Sequence, residues 1–194
     1  MKIDHVRNEV GLDAVLPFVH DILPQLNNDE YRYSRAFWLE HMEKTPQLLL
    51  YGADETGICG SVFAFAENNA VTVGHCAVAQ PKRDQGLGRA LMVEMERRVG
   101  KLGLNNITLG AVQGAEGFYQ KLGYSGSLLV QSQKQSIEQL KALNTTCEVI
   151  GTNVYEGTVN QVWLRVPLAA SQVQEAYNEA FPECDTQITF GKTL

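Results

Sequence analysis

A chain of 194 residues with 44% hydrophobic content is long enough to bury a full core, which suggests one domain or one and a fraction. Sixteen Lys and Arg against twenty-two Asp and Glu give a formal charge of −6, a balance that disfavours a nucleic-acid binder because neutralising phosphates takes clustered basic side chains. No stretch approaches the ~18 apolar residues of a membrane span, and the charged start Lys2-Ile3-Asp4-His5-Val6-Arg7 lacks the apolar core of a signal peptide, so the expected location is cytoplasmic, with no membrane partner.

Lys2 to Arg7 alternates enough for a short strand, and Leu12, Val15, Leu16, Val19 and Leu23 give helical spacing up to Pro24. After a polar connection, Ser34 opens a second helix carrying Phe37, Trp38, His41 and Met42, which Thr45-Pro46 stops. Three strands are predicted next, over residues 47–53, 57–67 and 71–80, joined by short polar turns that read as an antiparallel meander. Leu91, Met92, Met95, Val99 and Leu102 then mark one stripe of a long helix starting near Gly86. A buried strand is expected over 106–112, a short helix over 114–122, and a strand around Leu128-Leu129-Val130. Further on come a helix at Ile137, Leu140 and Leu143, a hairpin over 147–155 and 158–166, a capped helix over 171–180 and a last strand over 186–190. Cys59, Cys76, Cys147 and Cys184 are widely spaced with no Cys-x-x-Cys pair, and read as reduced, buried thiols. No metal is expected.

The chemistry concentrates where the third meander strand meets the long helix, at Val78-Ala79-Gln80-Pro81-Lys82-Arg83-Asp84-Gln85-Gly86-Leu87-Gly88-Arg89. A strand feeding a helix through glycines leaves backbone N–H groups converging on one spot, with the positive end of the helix dipole behind them. Anions bind such spots, and a Cβ at Gly86 or Gly88 would hold a pyrophosphate off the amides. Lys82, Arg83 and Arg89 supply local positive charge in an acidic chain. A nucleotide-triphosphatase loop would need Gly-Lys-Ser/Thr, which is absent, and a dinucleotide fingerprint would need Gly or Ala where Leu91 stands.

What remains, Arg83-x-x-Gly86-x-Gly88, resembles the acetyl-CoA-binding motif (Gln/Arg)-x-x-Gly-x-(Gly/Ala) of the GNAT superfamily of N-acetyltransferases. A second segment, Ala115-Glu116-Gly117-Phe118-Tyr119-Gln120-Lys121-Leu122-Gly123-Tyr124, is similar to the family's Ala-x-x-(Phe/Tyr)-Tyr-x-Lys-x-Gly-(Phe/Tyr). Taken singly, Phe118 and Tyr119 would be core aromatics on a short helix; two motifs in the right order on the predicted elements are far more specific. The element order β-α-α-β-β-β-α-β-α-β is that of the family. The resemblance implies an α/β (α+β) GNAT fold, a mixed central sheet with flanking helices, over residues 1–126, extending to about 133 if the next strand joins that sheet. Residues 127–194 then form a small C-terminal α/β module whose β-α-β-β-α-β order is the ferredoxin-like one. A lid, a homodimerisation surface and a small-ligand module are all open for it.

The resemblance implies acetyl-CoA as cosubstrate and no metal. The pantetheine arm would pair with the backbone of Cys76, Ala77 and Val78, and Arg83, Asp84, Gln85, Gly86, Leu87, Gly88 and Arg89 would line the pyrophosphate, with Phe118 and Tyr119 also at the cofactor. The acceptor, a primary amine on a small molecule or peptide, would attack the thioester directly in a ternary complex. A strand N–H such as that of Val78 would stabilise the oxyanion. Tyr119 matches the family's general acid, but a phenol of pKa ~10 protonating a thiolate of pKa ~8.5 works about 2 kcal/mol uphill, so hydrogen-bond donation is the alternative role. Two positions depart from the family: Val112 stands where an Asn often contacts the cofactor, and Ile107 where some members carry a Glu base. His75 and Glu116 are the candidate bases in its place. Period-2 alternation puts His75 with Val71, Val73 and Ala77, a face from which only a bulge could re-aim it. Asp29, Glu30, Tyr31 and Tyr33 are the candidate acceptor-binding residues, since acids and aromatics suit a cationic amine. The rival readings are a non-catalytic acyl-CoA-binding sensor and an interaction protein dominated by the C-terminal module.

Overall fold

A computed structural model describes residues 2–26, 33–67, 69–112, 114–144, 146–155, 157–166 and 171–194. The chain divides into two compact units, Met1–Ile107 with Thr193–Leu194, and Thr108–Lys192.

In the first unit, β1 (Lys2–His5), β2 (Leu49–Asp54), β3 (Gly57–Glu67) and β4 (Ala70–Val78) form an antiparallel meander in chain order. Helix α1 (Glu9–Ile22) is capped by Asn8, whose Oδ1 accepts from Gly11 N–H at 2.9 Å, and it buries Leu12, Val15, Leu16 and Val19. In α2 (Arg35–Lys44), capped by Ser34, the buried residues are Phe37, Trp38, His41 and Met42. Strand β2 begins at Leu49 rather than residue 47, because Pro46 opens a 3-10 turn in which Leu48 N–H bonds Thr45 O at 3.0 Å. Strand β4 likewise ends at Val78 rather than residue 80, where Pro81 sits in a 3-10 turn closed by Lys82 N–H to Ala79 O at 2.8 Å. Every residue of β3 from Cys59 to Phe65 is buried, which marks it as a strand covered on both faces. On one face lies α3 (Leu87–Lys101) with Leu87, Leu91, Met92, Met95 and Val99; on the other, Trp38 meets Phe63 and Phe65.

Strand β5 (Asn106–Gly110) enters the second unit at Thr108, and in that unit Ala111 N–H reaches Ile188 O at 3.2 Å on β9 (Asp185–Thr193). It stops short of Val112, which is 54% exposed. There follow α4 (Glu116–Lys121), β6 (Ser125–Ser132), α5 (Ile137–Leu143), β7 (Glu148–Tyr155), β8 (Val159–Arg165) and α6 (Ser171–Ala180). The order β9-β6-β8-β7 is antiparallel throughout. Strands β6 and β7, joined through α5, therefore run parallel with β8 between them, and β8 and β9, joined through α6, run parallel with β6 between them. These are two interlocked split β-α-β units. Leu128, Val130, Leu140, Val162, Leu164 and Tyr177 form their core. Tyr177 ties the two helices together by donating its hydroxyl to Leu140 O at 2.6 Å, and burial pushes its phenol up to about 12.

Candidate active site

The turn between β4 and α3 is held by its own side chains. Arg83 Nε donates to Val78 O at 3.2 Å and Gln85 Nε2 to Pro81 O at 2.7 Å. Lys82 Nζ is bonded to Asp54 Oδ2 at 2.6 Å, while Asp54 Oδ1 also accepts from Thr56 N–H and Oγ1. These partners, Lys82 first, hold the Asp54 carboxyl well below the usual carboxylate range. Of the three basic residues expected to serve a bound anion, Lys82 is thus committed to Asp54, while Arg83 bonds the backbone and Arg89 is exposed.

Two residues of the turn take left-handed backbone, Asp84 at φ 59° and Gly86 at φ 82°. The first intrahelical bond of α3 runs from Ala90 N–H to Gly86 O at 2.9 Å, and Gly86 has no side chain to cap the helix. The amides of Leu87, Gly88 and Arg89 therefore precede the ladder, at the positive end of a fifteen-residue helix. A Cβ built on Gly86 would meet, beyond its chain neighbours, no atom of the described residues within 4 Å, so the space over the turn is open among them. This donor set fits a pyrophosphate.

What seats α3 so close to the sheet is a pair of strand glycines that sequence reading passed over. Gly52 and Gly60 are register partners on β2 and β3. A Cβ on Gly60 would come within 2.9 Å of Leu87 Cδ2 and Leu91 Cδ1, and one on Gly52 within 3.1 Å of Leu87 Cδ1. A glycine inside a strand pattern signals such close approach. The signal was present but did not name its partner.

On β4, Cys76, Ala77 and Val78 pair with Val62, Ser61 and Gly60 of β3. Burial pushes the Cys76 thiol up to about 12, so it is protonated and no nucleophile at neutral pH. A register shift opposite Phe63 and Ala64 makes Gly74 an extra residue on β4, the bulge that could have turned His75 outward. The bulge sets His75 on the side of Phe63 and Trp38 rather than with Val73, but that side is core as well: His75 is 5% exposed, with Nε2 3.0 Å from Ser61 Oγ and its ring against Phe63 and Trp38. Ser61 Oγ donates to Leu50 O at 3.2 Å, which leaves its lone pairs to accept from His75 Nε2–H and puts the ring in the Nε2–H tautomer, with Nδ1 buried and unbonded. Burial, with a smaller push from His20, lowers its pKa to about 3. An unfolded chain would protonate this ring near 6.5, so stability falls as the pH drops from about 6.5 toward 3, by up to about 1.4 kcal/mol per pH unit. Urea titrations at pH 7, 6, 5 and 4 should show His75→Leu losing less stability with acid than the parent; parallel curves would remove His75 as the cause.

Bulged Gly74 lies under α2, where a Cβ would be 2.8 Å from Trp38 and 2.9 Å from Tyr33. Tyr33, at φ 71°, stacks on Trp38 with ring centroids 5.9 Å apart. Of the candidate acceptor residues it alone is described; Asp29, Glu30 and Tyr31 lie outside the described residues.

In the second unit, Tyr119 is 7% exposed on α4, its ring 5.0 Å from Phe118, 6.0 Å from Tyr124 and 5.7 Å from Phe190. Phe118 and Glu116 are half-buried on the same helix. Lys192 Nζ closes the end of α4 through Leu122 O at 2.8 Å. Among the described residues, no group of three or more His, Cys, Asp or Glu side chains could hold a metal ion, and no helix is long and apolar enough to cross a membrane.

Residues 25–147 match the family described as "Acetyltransferase (GNAT) domain". No curated protein matches the sequence. Among solved structures, an acetyltransferase of the GNAT family from Staphylococcus aureus Mu50 superposes with a TM-score of 0.58 at 13% identity, covering 100% of this chain and 99% of its own. Naa20 from Chaetomium thermophilum, in complex with a bisubstrate analogue, gives 0.55 at 16% identity, covering 91% of both chains. The PaiA N-acetyltransferase from Thermoplasma acidophilum, in complex with coenzyme A, gives 0.50 at 13% identity, with 86% of this chain and 100% of that chain covered. At such identities these likenesses establish the fold, and the family match, spanning well over half the chain, carries the rest. The chain belongs to the GNAT acetyltransferase family and is an acyltransferase.

Proposed function

We propose that the protein moves the acetyl group of acetyl-CoA to a primary amine on a small molecule or peptide, by direct attack of that amine in a ternary complex. The observation that carries this is the uncapped start of α3, where a left-handed Gly86 leaves the amides of Leu87, Gly88 and Arg89 for a diphosphate. Bound acetyl-CoA supplies an activated thioester. In this reading the amides of Asp84 to Arg89, with Arg83, hold the pyrophosphate, the backbone of Cys76 to Val78 aligns the pantetheine arm, and Phe118 packs beside the cofactor. The amine acceptor is supported by the N-acetyltransferase and bisubstrate-analogue complexes among the structural relatives. Asp29, Glu30, Tyr31 and Tyr33 are assigned to its side of the reaction.

The amine must lose a proton, and an alkylammonium has a pKa of ~10.4. His75 is buried against Ser61, Phe63 and Trp38 with its charged form disfavoured by that burial, so we assign it to packing and the deprotonation to water or Glu116. Tyr119 is assigned to the departing thiolate as a hydrogen-bond donor. Tyr119→Phe should then lower kcat about tenfold, the worth of one such bond, with the acetyl-CoA dissociation constant unchanged. An unaltered kcat would remove Tyr119 from the chemistry. Residues 127–194 are proposed as a module distinct from the transferase portion, a division supported by their own apolar cluster. The reading as a whole is tested by following coenzyme A release across a panel of polyamines, aminoglycosides and peptide N-termini. Binding of acetyl-CoA with no amine-dependent release from any of them would overturn it.

A further inference from the structure

β7 ends the sheet of the second unit, and among the described residues no strand pairs with its outer side. Four of its eight residues are exposed large apolar side chains: Val149 at 37%, Ile150 at 41%, Val154 at 46% and Tyr155 at 41%. Edge strands are ordinarily blunted by charge, proline or bulges. Strand β1, the outer strand of the first unit's meander, carries Lys2, Asp4 and His5. β7 has only Glu148, neutralised by Arg165 at 2.7 Å, and no proline. Its one irregularity, a register shift between Val149 and Gly151, leaves Gly151 to Tyr155 as regular strand.

From this neutral, apolar edge we infer that β7 is a pairing surface for a second copy of the same chain, the two β7 strands running antiparallel about a two-fold axis at Asn153. A chain of net charge −6 resists self-association except through a patch without charge, and the regular part of β7 is such a patch. Antiparallel pairing of identical strands is isologous, each residue meeting its own symmetry mate or a reciprocal partner. Centred on Asn153, the pairing sets Thr152 against Val154 of the other copy and Gly151 against Tyr155. Gly151 has room for that ring, because among the described residues the one side chain near its missing Cβ is Trp163, at 3.7 Å. Tyr155 of one copy then covers the glycine gap beside Trp163 of the other, and no like charges oppose. A charged peptide would find no counter-charge along the regular segment, which favours a second copy as occupant.

The test uses the full chain. Sedimentation equilibrium from roughly 1 to 100 μM, where a micromolar dimer dissociates, should show a reversible monomer–dimer equilibrium. Asn153→Lys places two ammonium groups across the axis and should raise the dissociation constant about tenfold, with an unchanged circular dichroism spectrum. Asn153→Cys places two thiols on strand partners about 4.5–5.5 Å apart at Cα, within disulfide range. Mild oxidation should cross-link that variant and not the parent, whose four cysteines lie elsewhere. A parent that is monomeric throughout the range would overturn the inference, as would a dimer that ignores Asn153→Lys while Asn153→Cys fails to cross-link. Acetyl-CoA binding by the monomeric variant keeps this result separate from that of the proposed transferase reaction.

Discussion

Gly86→Val should raise the dissociation constant for coenzyme A about a hundredfold. Gly86 sits at φ 82°, a conformation that costs an L-residue about 1–2 kcal/mol and a β-branched one more. Beyond its chain neighbours, no atom of the described residues lies within 4 Å of the Cβ position, so the expected stability loss is that backbone cost and the protein stays folded. The effect on affinity has another origin. The new side chain projects into the space over the amides of Leu87, Gly88 and Arg89, where the pyrophosphate is proposed to lie, and holds it out of hydrogen-bonding reach. Two charge-assisted bonds of about 1.5 kcal/mol each are then lost, which corresponds to roughly a hundredfold. Gly86→Asn separates the two effects, because Asn tolerates left-handed backbone yet still carries a Cβ. It should keep near-parental stability in urea and still bind coenzyme A weakly by calorimetry. Parental affinity in both variants would place the coenzyme elsewhere.

Trp38→Ala should destabilise the protein by about 3–5 kcal/mol, lowering Tm by roughly 10 °C in a chain of this size. Trp38 is 1% exposed and its indole is ringed by Tyr33, Phe37, Phe63, Phe65 and His75. Beneath it lies Gly74, which has no side chain to fall into the space, so the cavity persists and the cost sits toward the upper end of that range. Trp38→Phe should recover more than half of it. The variant also reports on function, because Trp38 holds α2 and Tyr33 against β4 on the face of β3 opposite to α3. The KM for the amine should rise while the coenzyme A dissociation constant stays put, and the Gly86 and Trp38 effects on stability should add, as expected for sites with no shared partners. A large loss of coenzyme affinity in Trp38→Ala, measured well below its Tm, would show that the two faces of β3 are not independent.

The glycine turn and α3 were legible because their chemistry is local. Pro81 ends a strand, Gly86 takes a positive φ, and a stripe from Leu91 to Val99 needs only its own neighbours to be recognised. The same holds for Ser34 capping α2 and for strand β3, found over Gly57–Glu67 as expected. The alternation placing His75 with Val71, Val73 and Ala77 fails at the bulge, because His75 stands opposite Phe63 and Val73 opposite Ala64, adjacent residues of β3 that point to opposite faces. That Lys82, one of the local positive charges at the turn, is bonded to Asp54 could not be read locally, because Asp54 lies 28 residues away on another strand end.

From the order of residues alone came the element sequence, including the β-α-β-β-α-β order of the C-terminal part, and the glycine turn at Gly86 and Gly88, set by periodicity, turn chemistry and short-range spacing, while family resemblance supplied the donor reading of Arg83, Gly86 and Gly88. Folding in space settled the rest: that Gly52 and Gly60 clear a path for Leu87 and Leu91, that a bulge at Gly74 admits Trp38, that burial against Ser61 and Phe63 holds His75 neutral, and that β7 is left as an apolar edge. Each of these depends on which distant segment a residue meets. A glycine, a histidine or a valine carries no mark of that until the chain has closed around it.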